Sequence, residues 1–503
     1  MLNRYGYNLL FVVIVAGLSL YYGYATKVFS PPHGIHIWRQ CDCTQFARNY
    51  YTESMNFFEP RLSYCIGNDG KMASEFPIIY YAAAILYKIF GEHDYFIRII
   101  NLLFFYSGLF FLFKTTSLVL EDKYYGLLTA LMVFTSSIVI HYANNFLPDV
   151  PALSCSFIAL YYVVLFTKQK QNKHLWKATL FFTLAGLLKV TLLAPYLAII
   201  ATVFCVYLFK IYGTDIRELK VHKNAIIGFI LVPVLISAAW IVYVRYYNQA
   251  NNNIYFLTQT LPIWNMDEGS VKSVWGMIDY YWRWQFMYRD FLNVIPFIFL
   301  VVLFIPYRRN LPLTMWLCML VLACLSVQAL FFQQLDVHDY YLISLIPVPV
   351  AICVVFLRKL RDWKEKWFNS VIVRVAVTVL LGAMIYQGHR MMIKREQEPG
   401  EYYSDFNKME PVFEKAGVRP RDKVISAGDN SSGISLYFMR RRGWTNMWPC
   451  GHLSAADIEN YIRQGASYLI ISKNGELNLN DDAKEKFIKN KVGEIDDVKI
   501  YKL

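Results

Sequence analysis

Asp42, Glu75, Asp149 and Asp339, together with Arg39, Arg61, Lys71, Lys189 and His338, fall between or at the ends of apolar runs, in a chain that is otherwise poor in charge. A carboxylate with cations nearby can take a proton from an incoming hydroxyl while the cations hold an anionic group. The first of these stretches reads His36-Ile-Trp38-Arg39-Gln40-Cys-Asp42-Cys-Thr44-Gln45, followed by Glu59-Pro60-Arg61, Lys71 and Ser74-Glu75-Phe76-Pro77. A second holds Asn144, Asn145 and Asp149 just before Pro151; Lys189 lies between two apolar runs; and Asp336, His338 and Asp339 lead into Tyr340 and Tyr341. The chain has neither a Gly-rich nucleotide cradle nor a Walker-type lysine motif.

What must position these groups is a set of apolar helices. Of the 503 residues, 56% are hydrophobic and 17% charged, the mean hydropathy is +0.31, and an ordinary soluble domain carries about 25% charged residues. One water-soluble core cannot absorb so much apolar chain, because soluble domains stop growing near roughly 250–300 residues. Apolar runs fall near 7–25, 97–117, 125–141, 150–167, 176–190, 191–210, 225–245, 291–306, 312–332, 340–357 and 370–389. Each approaches the ~20 residues that cross the hydrocarbon. They predict an all-α polytopic membrane protein with about 11–13 transmembrane helices. The segment Ile78–Phe90 is too short to span and is expected to lie in the interface or to re-enter.

Charge tests the orientation. With the N-terminus inside, the short inner loops carry Lys114 and Lys123; Lys168, Lys170, Lys173 and Lys177; Lys210, Arg217, Lys220 and Lys223; Arg308 and Arg309; and Arg358, Lys359, Arg361, Lys364 and Lys366. The short outer loops 141–149 and 333–339 contain no Lys or Arg. The net charge of +13, 50 minus 37, therefore reads as topology rather than as a nucleic-acid surface. An odd number of crossings puts the C-terminus outside. The expected division is a transmembrane domain over 1–390, with a first outer loop at 26–96, and a small extracytoplasmic α/β domain over 391–503. In the latter, 423–427, 468–472 and 498–501 read as strands, and 406–415 and 455–463 as helices. The first run lacks a cleavage site and reads as a retained span. Of the nine cysteines, Cys155, Cys205, Cys318, Cys324 and Cys353 lie in apolar runs, which leaves Cys41, Cys43, Cys65 and Cys450 as candidates for pairing.

Each polar group also has an ordinary explanation. Asp149 can cap a helix, Lys189 can snorkel to the headgroups, His338-Asp339 can be a loop pair, and Trp38, Tyr50 and Tyr51 can belong to an interfacial aromatic belt. Cys41 and Cys43 with His36 form a weak metal signal, and a Cys41–Cys65 disulfide stays open. None of these readings explains why the groups gather at the outer ends of different spans.

Taken in order, the motifs resemble the GT-C fold glycosyltransferases that use polyprenyl-phosphate sugars, the group of the aminoarabinose transferases and protein mannosyltransferases. The elements are Trp38-Arg39-Gln40-Cys41-Asp42, Pro60-Arg61, Glu75-Phe76-Pro77, Gly91 to Arg98, Leu147-Pro148-Asp149, Gly186-Leu-Leu-Lys189 and His338-Asp-Tyr340-Tyr341 followed by Pro347. The resemblance covers residues 1–390. It implies a GT-C fold and an inverting transfer from a polyprenyl-phosphate sugar to a glycan, lipid or protein hydroxyl, at the outer face of the cell inner membrane. It implies Asp42 as the general base and Asp149 as the second acidic site. Arg61, Lys71, Lys189, His338 and Tyr340 would meet the donor phosphate, and Trp38, Arg39, Gln40, Glu75, Asp339 and Tyr341 would line the substrate site. The lysine that aminoarabinose transferases carry between the acidic residue and the proline is Phe76 in this chain. Glu75 keeps an acidic position that binds metal in some relatives, without a histidine partner, so a divalent metal is an open alternative and no cofactor is expected outright. A flippase for lipid-linked glycan would show two related halves with broken helices, and no repeat occurs. An O-antigen ligase or polymerase would carry its large polar loop late in the chain.

Overall fold

The computed structural model describes residues 4–209, 221–253, 255–256, 259–305, 310–397, 406–447, 451–473 and 475–503; Lys210, Arg217, Lys220, Arg308, Arg309 and Cys450 lie outside the described residues. The chain divides into two compact units that are not successive stretches of sequence. One comprises Met1–Phe29, Arg98–Ile241 and Gln259–Arg395, and the other Ser30–Ile97, Val242–Thr258 and Glu396–Leu503. The first outer loop thus shares a unit with the C-terminal segment, rather than being part of one continuous 1–390 domain.

The first unit is helical. Among the described residues seven helices are long and apolar enough to cross a membrane: Tyr95–Leu120, Asp149–Gln169, Val190–Leu208, Lys223–Ala250, Leu311–Leu330, Asp339–Trp363 and Val371–Glu396. Two bent pairs pass the same test, Lys123–Val133 with Ser137–Ala143 at 76° and Glu268–Phe286 with Arg289–Phe304 at 99°. The remaining two apolar runs are the shorter helices Gly6–Tyr21 and Asn172–Leu188. All eleven segments are therefore helical, and the protein is a multi-pass membrane protein.

The first bend satisfies carbonyls of the second. A broken helix leaves carbonyls without partners, which is costly away from water. Ser136 Oγ donates to the Phe286 carbonyl at 2.5 Å, and Ser137 Oγ donates to that of Gln285. The helix Val371–Glu396 passes the first bend so closely that a Cβ on Gly388 would lie 2.3 Å from the Thr135 carbonyl. Beyond the bend, the loop before Asp149 is pinned from the helix Tyr95–Leu120. Asn101 Nδ2 donates to the carbonyls of Asn145 at 2.8 Å and Leu147 at 3.1 Å, and Arg98 donates to that of Asn144 while its guanidinium lies 4.2 Å from the Phe146 ring.

The second unit is built on a five-stranded sheet of β1 (Lys423–Ala427), β2 (Gly443–Thr445), β3 (Ala466–Ile471), β4 (Lys491–Ile495) and β5 (Val498–Lys502), in the order β2-β1-β3-β5-β4. β1 runs parallel to β2 and β3, while β5 is antiparallel to β3 and β4. The three expected strands are the central ones. The two unforeseen strands are the outer ones: β4 is largely unburied and its apolar pattern is weak, while β2 is buried but spans only Gly443–Thr445. The first outer loop extends the β2 edge: Gly443 N donates to the Ser63 carbonyl at 2.9 Å and Cys65 N to that of Gly443 at 2.7 Å. Gly443 is required there, at φ 153°, because a Cβ would lie 1.7 Å from the Val424 carbonyl. Tyr64 and Cys65 consequently pack in the core of the sheet with Val424, Trp444 and Leu469. The eight described cysteines are free, so Cys41 and Cys65 do not pair. The helices Ile37–Thr52 and Ile78–Phe90 pack together in the same unit, with the Phe46 and Tyr80 rings stacked at 5.6 Å.

Candidate functional site

The helix Ile37–Thr52 is buried from Gln40 to Ala47, yet it carries Gln40, Asp42, Thr44, Gln45 and Asn49. Buried polar groups need partners, and four of these five find them in the backbone. Gln40 donates to the carbonyls of His33 and Ile35, Thr44 to that of Cys41, Gln45 to that of Gly433, and Asn49 to that of Arg61. Gln40, expected at the substrate, thus fastens the loop that enters its own helix.

Asp42 is the exception. Its Oδ1 accepts from Ser432 Oγ at 2.9 Å and its Oδ2 from the Tyr255 hydroxyl at 2.9 Å, with Arg39 Nη1 further off at 3.7 Å. Burial raises its carboxyl, against the pull of Arg39, Ser432 and Tyr255, to about 6. Arg39 instead grips Glu75, Nη2 to Oε1 at 2.6 Å, while Ser74 Oγ donates to Oε2 at 2.6 Å and the Tyr80 hydroxyl donates to Oε1. Burial pushes Glu75 up, but the Arg39 charge and the two hydroxyls outweigh it and hold the carboxyl below its ordinary range. Two carboxyls whose acidities are driven apart can do acid–base chemistry, one poised near neutrality and the other held ionised. Trp38 completes the group, its indole donating to Ser432 Oγ at 2.6 Å and its ring lying over Tyr255.

Both Glu75 oxygens are engaged, and among the described residues no group of three or more His, Cys, Asp or Glu side chains is disposed to hold a metal ion. The described residues do not fit a divalent metal at Glu75. Arg61 and Lys71 face each other across a single antiparallel bridge and are held by carboxylates: Arg61 by Asp69 at 3.3 Å and Glu59 at 3.8 Å, Lys71 by Glu59 at 3.9 Å. Ion pairs within the loop thus account for both.

The first unit holds a second group. Asp149 begins the helix Asp149–Gln169, whose N-cap is Pro148, and its Oδ1 lies 3.0 Å from Lys189 Nζ. Lys189 ends the helix Asn172–Leu188, and its ammonium lies 4.2 Å from the Tyr341 ring and 4.7 Å from that of Tyr340. His338 stacks on Tyr340 at 5.2 Å between ring centroids. Fold and motif order therefore bring together Asp149, Lys189, His338, Tyr340 and Tyr341. Asp339, their neighbour in sequence, turns elsewhere: it is fully buried, 2.5 Å from Arg395 and accepting from the Tyr142 hydroxyl at 2.7 Å.

Tyr255, Ser432, Tyr142 and Arg395 escaped the sequence. Arg395 reads as a cation leaving the last span, and Tyr142 and Tyr255 are two of 38 tyrosines. Ser432 had a faint signal, in the Ser-Ser-Gly that follows the strand at 423–427.

These features define a multi-pass membrane protein with the GT-C glycosyltransferase fold. A family model described as dolichyl-phosphate-mannose-protein mannosyltransferase matches residues 74–240, a stretch that carries Glu75, Asp149 and Lys189. No curated protein matches the sequence. Among solved structures, ArnT from Cupriavidus metallidurans in the apo state superposes with a TM-score of 0.62 at 12% identity, covering 99% of this chain and 98% of ArnT. The same enzyme bound to undecaprenyl phosphate gives a TM-score of 0.61. The Archaeoglobus fulgidus oligosaccharyltransferase in the apo form gives 0.52 at 12% identity, covering 94% of this chain and 70% of that one. The likeness to ArnT extends through the C-terminal segment, beyond the residues whose motifs suggested it.

Proposed function

We propose that this protein moves a sugar from a polyprenyl phosphate to an acceptor hydroxyl at the outer face of the inner membrane, with inversion at the anomeric carbon. The observation that carries the reading is Asp42: a buried carboxyl near neutrality, held by two hydroxyls rather than by a tight ion pair. A base of that strength is matched to taking a proton from an alcohol as its oxygen attacks. Asp42 is 1% exposed, so the acceptor reaches it by displacing a hydroxyl partner, which also keeps water out. The bond from the anomeric carbon to the phosphate oxygen breaks and the lipid phosphate leaves as an anion, so no acid has to protonate it.

In this reading a cation must meet the phosphate. Arg61, Lys71 and Lys189 each stand beside a carboxylate, and Lys189 is the candidate because the Tyr340 and Tyr341 rings lie against its ammonium and His338 stacks on Tyr340; Asp149 orients the Lys189 ammonium rather than exchanging protons. The undecaprenyl phosphate of the similar ArnT structure supports a lipid-phosphate donor. The decisive experiment compares Asp42→Asn with the wild type in transfer from purified polyprenyl-phosphate sugar, and a fully active variant removes the base assignment. Orientation is tested separately by Asn430→Cys, which should react with an impermeant thiol reagent from outside the cell. Mass spectrometry of envelope glycans and lipids with and without the gene identifies sugar and acceptor.

A further inference from the structure

Ser432 belongs to the segment beyond the last span, yet its hydroxyl touches the proposed base. The loop that presents it follows β1, at the carboxyl ends of the three parallel strands, and is fastened throughout. Asp429 Oδ1 accepts from Ser431 N at 2.9 Å and its Oδ2 from Ser435 N at 2.7 Å. Ser431 Oγ accepts from Ile434 N at 2.8 Å, and Thr445 Oγ1 donates to the Ser431 carbonyl at 2.5 Å. Gln45, one turn beyond Asp42 on the same helix, donates to the Gly433 carbonyl at 2.9 Å. Gly433 has φ 154°, and a Cβ there would meet the Gln45 amide at 3.0 Å, so a glycine lets the loop close on that helix.

The direction of the hydrogen bonds follows from chemistry. An indole N–H can only donate, so Ser432 Oγ, 2.6 Å from Trp38 Nε1, is an acceptor toward Trp38. Its single proton then points to Asp42 Oδ1 at 2.9 Å. We propose that Ser432 is a positioning residue for the Asp42 carboxylate: the relay Trp38 to Ser432 to Asp42 fixes the carboxylate plane and favours its ionised form. The C-terminal segment is then a working part of the site. This rests on the reading of Asp42 as the base.

The other groups that bear on Asp42 are accounted for. Arg39 on its own helix favours the charged form, as does the Tyr255 hydroxyl; Glu75 opposes it; and Cys41, Cys43, Tyr80 and Asp429 surround them. Hydrogen bonds to a charged group favour it, so loss of the Ser432 hydroxyl raises the pH at which Asp42 ionises.

The test is an infrared pH titration of the purified full-length chain in detergent, which needs no donor. Subtracting the spectrum of Asp42→Asn isolates the Asp42 carboxyl band. The wild-type midpoint is expected near 6, displaced upward by about one pH unit in Ser432→Ala and restored in Ser432→Thr. A purely structural role would lower stability and leave the midpoint in place, so an unmoved midpoint in folded Ser432→Ala overturns the proposal. Should Ser432→Ala not fold, Trp38→Phe removes the donor that orients the hydroxyl, and an upward displacement supports the relay where an unmoved midpoint overturns it. Activity of Asp42→Asn in transfer tests the base separately: an inactive Asp42→Asn beside an unmoved Ser432→Ala midpoint sinks the relay alone.

Discussion

Both units bury aspartates, and they treat them in opposite ways. Asp149 and Asp339 each meet a cation at ion-pair distance, Lys189 at 3.0 Å and Arg395 at 2.5 Å. Asp42 meets two hydroxyls, and its nearest cation stands at 3.7 Å. For Asp42, burial outweighs the pull of Arg39 and the two hydroxyls and brings the carboxyl into a range where it can accept a proton. The family resemblance ranked Asp42 and Asp149 together as the acidic sites; their partners differ, hydroxyls for one and a lysine for the other.

The largest expected effect breaks the Asp42 side of this contrast. Asp42→Asn should lower transfer by about 10²–10⁴-fold with the unfolding midpoint in detergent nearly unchanged, and equal loss from Asp149→Asn with Lys189 still bound in place would erase the distinction. Next is the opposite pattern at a buried pair: Arg395→Met should cost ~3–5 kcal/mol of stability, because it strands the Asp339 charge. Lys189→Met should cost less, toward ~3 kcal/mol, since its side chain is 18% exposed. Adding Asp149→Asn should recover most of that, as read by thermal unfolding of the two variants, while activity stays low.

The pH response follows with its sign. A general base must be deprotonated, so transfer should fall about tenfold for each pH unit below about 6. The folded chain holds the Asp42 proton more tightly than the unfolded one. Lowering the pH from about 6 to roughly 4 therefore strengthens this group's contribution to folding while activity falls. Parallel loss of both would assign the acid limb to unfolding. Smallest of all, a reductant such as dithiothreitol should leave activity and unfolding unchanged, since Cys41 and Cys65 are free thiols.

Much of this was legible in the chain. The eleven apolar runs became helices because an apolar segment of that length has one way to satisfy its backbone in lipid. Residues that follow one another across a turn, such as His338, Tyr340 and Tyr341, were seen as a group. β4 was missed because its pattern is weak and β2 because so short a strand carries no period, and Asp339 was misjudged because its neighbours in sequence are not its neighbours in space.

Apolar periodicity, charge sidedness and the order of short motifs determined that this is a membrane protein with a GT-C fold and put Asp42 first among its candidates. Only the tertiary structure decided which aspartate meets hydroxyls and which meet cations. The partners of Asp42 come from 213 and 390 residues away along the chain, and a carboxyl's acidity is set by what surrounds it in space, which no local spacing records.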